Sequence, residues 1–312
     1  MTSGRQRTGS VPWIWLLLVV AAYIGIWIWR LLGASVDGGF LSRTWLPVGA
    51  SALLGSALTG TGGASTGFVS MPVFTLMQEA GTLRTVFSRY LASQFEIQLF
   101  ASAVGMGLWA ARLFGRDDGH REAVVEVQDF LGLVLATVCF AIPAAVLAQL
   151  YLVLTDRTLN TAFDIVSLVL GSILLSGALI FQSNTRVRLT VAHADLYFAM
   201  LIGIVGGALT GLFSLGVGEI LGIYMIARRY PADVAIAAAF STSFVTVLAS
   251  LWYTAVTGKV IWELVLIGAP AAALGGWLAF WLLRWSGPAI WRIVVAAWMV
   301  GASLFMIVRA LT

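Results

Sequence analysis

Arg89, Ser93 and Glu96 stand at i, i+4 and i+7, so they share one face of a helix inside an otherwise apolar run. A second carboxylate, Glu219, directly follows Gly218 in a glycine-rich stretch. A guanidinium attracts anions. A carboxylate removed from water either finds a partner or takes up a proton, which lets it couple proton movement to another event. Small polar groups surround these charges: Thr61, Gly62, Gly63, Ser65 and Thr66 in one stretch, and Ser214, Gly216 and Gly218 in another. Ser93, Gln94, Thr242 and Ser243 follow on the next apolar runs. Hydroxyls and bare backbone N–H groups donate hydrogen bonds without breaking covalent bonds, which suits them to holding an oxyanion. Bond-breaking chemistry is poorly supplied. A nucleophile needs a base within hydrogen-bond reach, yet His120 lies in a polar loop and His193 at a helix entrance. With one cysteine, Cys139, and no acidic pair at ligand spacing, the sequence indicates no metal site and no cofactor.

The two polar stretches are copies of one another. G-x-A-L-T-G occupies 55–60 and returns at 206–211, each time with another glycine seven positions on, at Gly67 and Gly218. The apolar segments that hold them, 46–77 and 196–227, are too long for a single helix crossing a ~30 Å core at 1.5 Å per residue. They are also too short for two crossings, which need about 40 residues. Each therefore reads as two half-length helices meeting at the glycines, in a re-entrant hairpin or a discontinuous helix. Glycine permits the sharp turn, and the half-helix that begins there offers unpaired N–H groups and a positive dipole end to an anion. The competing reading of any single glycine or serine is close helix packing in lipid.

Composition sets the solvent for these elements. With 60% hydrophobic and only 10% charged residues, and a mean hydropathy of +0.95, the chain is a polytopic all-α membrane protein embedded in a lipid bilayer. Uncharged runs of spanning length lie at 11–29, 90–111, 130–155, 165–181, 234–258, 264–283 and 293–308, with Glu96 as the exception. The first reads as an uncleaved anchor. A net charge of +4 reflects arginine-rich loops, and there is no basic stripe for nucleic acid. If both glycine segments return to their starting side, most of the basic residues, among them Arg112, Arg188, Arg228, Arg284 and Arg292, gather on one face. The positive-inside rule then puts the N-terminus in the cytoplasm. Each half would carry a hairpin plus three spans, and an odd number of crossings makes the two repeats inverted. The expected divisions are an N-terminal helix and loop over 1–44, repeat one over 45–182, a linker over 183–195 and repeat two over 196–312.

The copies continue beyond the hairpins, with LASQFEIQLFAS from Leu91 aligning on FSTSFVTVLAS from Phe240. Gly55, Gly60, Gly62, Gly63, Gly67 and Pro72 in the first copy, and Gly207, Gly211, Gly216, Gly218 and the AAAFSTSF run in the second, resemble the duplicated glycine-rich segments of the sulfite exporter TauE/SafE family. The likeness runs over roughly 46–308. It implies a secondary transporter of the bacterial cytoplasmic membrane that exports sulfite, an organosulfonate or another small anion. A passive anion channel is the nearer alternative and an intramembrane enzyme the more distant one. The sequence leaves open whether the chain forms a homo-oligomer.

Overall fold

The computed structural model describes residues 10–33, 37–60, 65–83, 85–114, 125–180 and 188–311, and every regular element among them is an α-helix. In chain order these are α1 (Ser10–Gly33), α2 (Gly38–Gly60), α3 (Gly67–Glu79), α4 (Phe87–Phe114), α5 (Val127–Tyr151), α6 (Asp156–Ile180), α7 (His193–Phe213), α8 (Val217–Ala227), α9 (Ala232–Thr257), α10 (Trp262–Ser286) and α11 (Pro288–Leu311). Seven of them, α4 to α7 and α9 to α11, are long and apolar enough to cross a membrane. Side chains at the helix ends supply the hydrogen bonds that the end turns lack. Asp37 Oδ1 accepts the N–H groups of Gly39 and Phe40 at 2.9 and 3.1 Å and starts α2. Asp156 Oδ1 takes the Ser88 N–H at 2.8 Å, which ties the start of α6 to that of α4.

The helices pack in exchanged pairs. The first helix of each glycine segment lies against a long helix from the other half of the chain, α2 along α10 and α7 along α5. Between them α4 meets α9, α6 meets α11, α3 touches α11 and α8 touches α6. Replacing α2–α6 by α7–α11 carries this set of pairings onto itself. Small residues make the close pairings possible, because in lipid the gain comes from backbone approach and not from expelling water. α7 presents Gly203, Gly207 and Gly211 at every fourth position to α5. A methyl group on Gly207 would stand 2.4 Å from the Ala141 carbonyl oxygen, and one on Gly211 would stand 2.3 Å from that of Ala145. Two glycines of the duplicated motif therefore serve helix packing. α1 lies outside this exchange and rests on α4 and α10, where Trp15 Nε1 donates to the Ala103 carbonyl at 2.6 Å and the Tyr23 hydroxyl to that of Leu266 at 2.7 Å.

The two glycine segments differ from the half-length arms that sequence suggests. Their first arms are full helices of 23 and 21 residues, and only the second arms are short, at 13 and 11. α2 begins at Gly38, ahead of both the 46–77 segment and the division expected at 45, because Asp37 caps it there. The chain does fold back at each break. Tyr224 near the end of α8 donates its hydroxyl to Asp195 Oδ1 at 2.6 Å, across 29 positions. A continuous helix would hold those residues about 43 Å apart. In the first segment, a methyl group on Gly55 of α2 would lie 2.9 Å from the Thr66 carbonyl and 3.3 Å from the Val69 side chain.

Asp195 pins the second hairpin shut. It is buried and accepts hydrogen bonds from Tyr230 at 2.8 Å, Arg228 Nε at 3.0 Å and the Ala192 N–H at 3.0 Å, with Arg188 Nη2 at 3.1 Å. Burial and the adjacent Asp195 carboxylate push the Tyr230 phenol above its ordinary pKa. Two arginines and two tyrosines thus satisfy one buried carboxylate and join the 188–192 stretch to both ends of the hairpin.

Candidate functional site

The two breaks meet. Ser65, entering α3, places its Oγ 3.0 Å from the carbonyl oxygen of Ser214, entering α8. Between them stands Gln98 of α4, whose Oε1 accepts from Ser65 Oγ at 2.5 Å and from Ser214 Oγ at 2.8 Å. Gln98 is buried at 4% exposure. Among the described residues its amide nitrogen has no hydrogen-bond partner. One helical turn earlier on the same face, Gln94 donates to Thr66 Oγ1 and accepts from Ser70 Oγ at 2.7 Å, fixing the first turn of α3 on α4. The backbone at the second break is special: Ser214 is left-handed at φ 58° and Gly216 has φ 138°, where a side chain would be strained.

The N–H groups exposed by the breaks are already engaged. Gly67 N–H reaches Ser65 Oγ at 3.1 Å, and Val217 N–H reaches Thr210 Oγ1 at 3.0 Å. Glu219 turns its carboxylate back onto the start of its own helix. Its Oε2 accepts the Gly216 N–H at 2.7 Å. Its Oε1 is buried and has no partner. A protein carboxylate thus occupies the spot where half-helix dipoles favour an anion.

Of the residues expected from sequence, Ser65, Thr66, Gln94, Ser214, Gly216 and Glu219 come together at this junction. Thr61, Gly62 and Gly63 lie outside the described residues. Gly218 and Ser243 face each other one turn away: a methyl on Gly218 would sit 2.1 Å from Ser243 Oγ and 2.7 Å from the Ala239 carbonyl, so the missing side chain admits α9. Thr242 donates into its own helix, to the Ala238 carbonyl at 2.9 Å. The Arg89, Ser93 and Glu96 face looks elsewhere. Arg89 Nε reaches the Lys259 carbonyl at 3.4 Å, Ser93 Oγ accepts the Ile261 N–H at 2.8 Å, and Glu96 Oε1 is 3.4 Å from Thr254 Oγ1. That face packs on the turn between α9 and α10, roughly a third of a revolution or more from Gln94 and Gln98.

Gln98 and Thr210 are the participants that sequence reasoning missed. The pair Gln94 and Gln98, at i and i+4 in an apolar run, was the available signal for the first. Asp164 was missed as a further buried carboxylate, on α6. A cavity of about 120 Å³ lies toward the end of the molecule that carries Lys259, with Gln149, Thr254, Gly211 and Leu212 in its walls.

The model of one protein family, sulfite exporter TauE/SafE, matches residues 97–306, two thirds of the chain. The chain belongs to the sulfite exporter TauE/SafE family. It is accordingly a membrane transporter of the sulfite and sulfur-anion exporter type, and its apolar helices make it an integral membrane protein. The match begins within α4, so it takes in Gln98 and the second hairpin but stops short of the first, where half of the sequence likeness lay. No curated protein and no solved structure matches the chain.

Proposed function

We propose that this TauE/SafE member exports a small sulfur oxyanion, sulfite or an organosulfonate, across the bacterial cytoplasmic membrane, and that the anion binds where the two breaks meet. One observation carries the reading: two hydroxyls from different hairpins converge on Gln98, whose amide nitrogen has no partner among the described residues. An incoming oxyanion takes that donor and the Gly216 N–H from Glu219, whose carboxylate must protonate or swing aside. Glu219 is then a proton-coupled gate, because an anion and a carboxylate cannot share one site in a low dielectric. Ser65 and Thr66 line the first side of the site, and Ser214, Gly216 and Gly218 the second. Ser243, Thr242 and Ser93 hold α9 and α10 against them.

Both hairpins re-enter the membrane without crossing it, and the two halves are inverted repeats with the N-terminus in the cytoplasm. The exchanged pairings and the return of α8 to Asp195 support this. The cavity below Lys259 is the path from the site to the outer face. Arg89 lends charge near its mouth, and Glu96, bonded to the wall residue Thr254, is a second proton acceptor. A transporter family argues against an intramembrane enzyme.

The test is Gln98→Leu in proteoliposomes. Wild type should give saturable sulfite flux with counterflow, and the variant should lose both while keeping its detergent-solubilised fold. Unchanged flux in the variant places the anion elsewhere, and linear, non-saturating flux in wild type makes the protein a channel.

A further inference from the structure

A cavity of about 390 Å³ lies between the ends of α6 and α8 and the start of α11, lined by Ile173, Ile223, Ile226, Ser172, Ser176 and Arg292 among others. It is remote from the proposed anion site, since Ile226 and Ala227 sit at the opposite end of α8 from Val217. Its one charge is Arg292. The Nε of that guanidinium is shut off from solvent and has no hydrogen-bond acceptor among the described residues. Arg292 is partly buried against apolar walls, and a cation held there is stabilised by an anionic partner.

The remaining lining tells what that partner is. Ser172 and Ser176 donate to carbonyls of their own helix, at 2.7 and 2.8 Å, which leaves Arg292 as the donor facing the cavity. The other walls are aliphatic, and Ile173 is 49% exposed on the outer surface of the bundle, where acyl chains lie. Arg292 stands one turn inside the start of α11, and Trp285 on the preceding turn is 88% exposed, which is the placement of an interfacial belt residue. The end of α8 beside the cavity leads past Arg228, which is paired with Asp195, to the exposed Arg229, a cation of the kind that attracts anionic headgroups.

We propose that this cavity binds an anionic phospholipid, its phosphodiester paired with Arg292 and an acyl chain lying along Ile173, Ile223 and Ile226. A free oxyanion fits less well, because it would find one donor and an otherwise apolar wall. The lipid supplies a counter-charge and fills the groove in one step, and it ties α6, α8 and α11 together behind the second hairpin.

The experiment measures Tm of the full-length protein in a neutral detergent with dioleoylphosphatidylglycerol, dioleoylphosphatidylcholine, inorganic phosphate or sulfite added. Phosphatidylglycerol should raise Tm by about 5 °C, and phosphatidylcholine and phosphate should raise it far less. Arg292→Gln should abolish the difference between the two lipids. Ile223→Trp, which fills the groove but keeps the charge, should abolish it too, whereas Gln98→Leu should leave it intact. Equal responses to both lipids, a lipid selectivity that survives Arg292→Gln and Ile223→Trp, or a phosphate or sulfite shift that depends on Arg292 would each overturn the proposal. If Arg292→Gln does not fold, Arg292→Lys and Ile223→Trp together give the same decision.

Discussion

Glu219→Gln tests the idea that the protein's own carboxylate holds the place of the transported anion. In the wild type that carboxylate accepts the Gly216 N–H at 2.7 Å. Hydrogen bonds to a charged acceptor contribute about 1.5–3 kcal/mol, against about 1 kcal/mol for neutral pairs. Removing the charge while keeping the shape should therefore weaken that contact by about 1 kcal/mol. Sulfite competing for the same N–H group should bind more tightly by roughly fivefold at neutral pH, since 1.4 kcal/mol is a factor of ten. The measurement is isothermal titration of sulfite into detergent-purified protein, with Tm recorded to confirm that the variant is folded. The variant should also show a flatter dependence of binding on pH and lose the response of flux to an imposed pH gradient. Unchanged or weaker affinity in a folded variant refutes the competition, and an intact gradient response refutes the gate.

Glu96→Gln separates the two carboxylates: if Glu219 is the gate and Glu96 a second acceptor, this variant should retain sulfite affinity but reduce gradient-driven flux in proteoliposomes. Gly207→Leu should cost at least 3 kcal/mol by forcing α7 off α5, read as a fall in Tm or loss of folded protein, because the obstacle is the Ala141 backbone and not a mobile side chain. Asp195→Asn should lower Tm sharply, by the equivalent of about 3 kcal/mol, since Arg188, Arg228, Tyr224 and Tyr230 lose one shared buried acceptor. In a Cys139→Ser background, single cysteines within 37–43 and within 80–83 should both react with an impermeant reagent from outside the cell. Reaction from opposite sides would turn the first hairpin into a crossing.

Much of the fold was written in local sequence. Apolar run length and capping residues place the long helices α4, α5, α6, α9, α10 and α11 to within a few residues at most ends, because a helix that satisfies its own backbone is the element an isolated segment can form in lipid. The duplicated glycines located both breaks, since glycine tolerates the left-handed and strained backbone found at Gly216. The unequal arms were not legible from the glycines: the start of α2 depends on the Asp37 cap, which lies outside the apolar run.

The site divides along the same line. Periodicity fixes which residues share a helical face, and it correctly grouped Arg89, Ser93 and Glu96, but it carries no information about the neighbour that face meets. Packing turned that face toward the α9–α10 turn and turned Gln94 and Gln98 toward the breaks. The sequence alone also determined that glycine and hydroxyl residues would gather at two breaks. Only the tertiary structure decided that Ser65 and Ser214, 149 positions apart, share one amide, that Gly207 and Gly218 are spent on helix contacts, and that Glu219 folds back onto the N–H group an anion would use. The physical reason is that a hydrogen bond depends on ångström distances between atoms on separate helices, and those distances are set by exchanged packing between the two halves, which no local stretch of either half specifies.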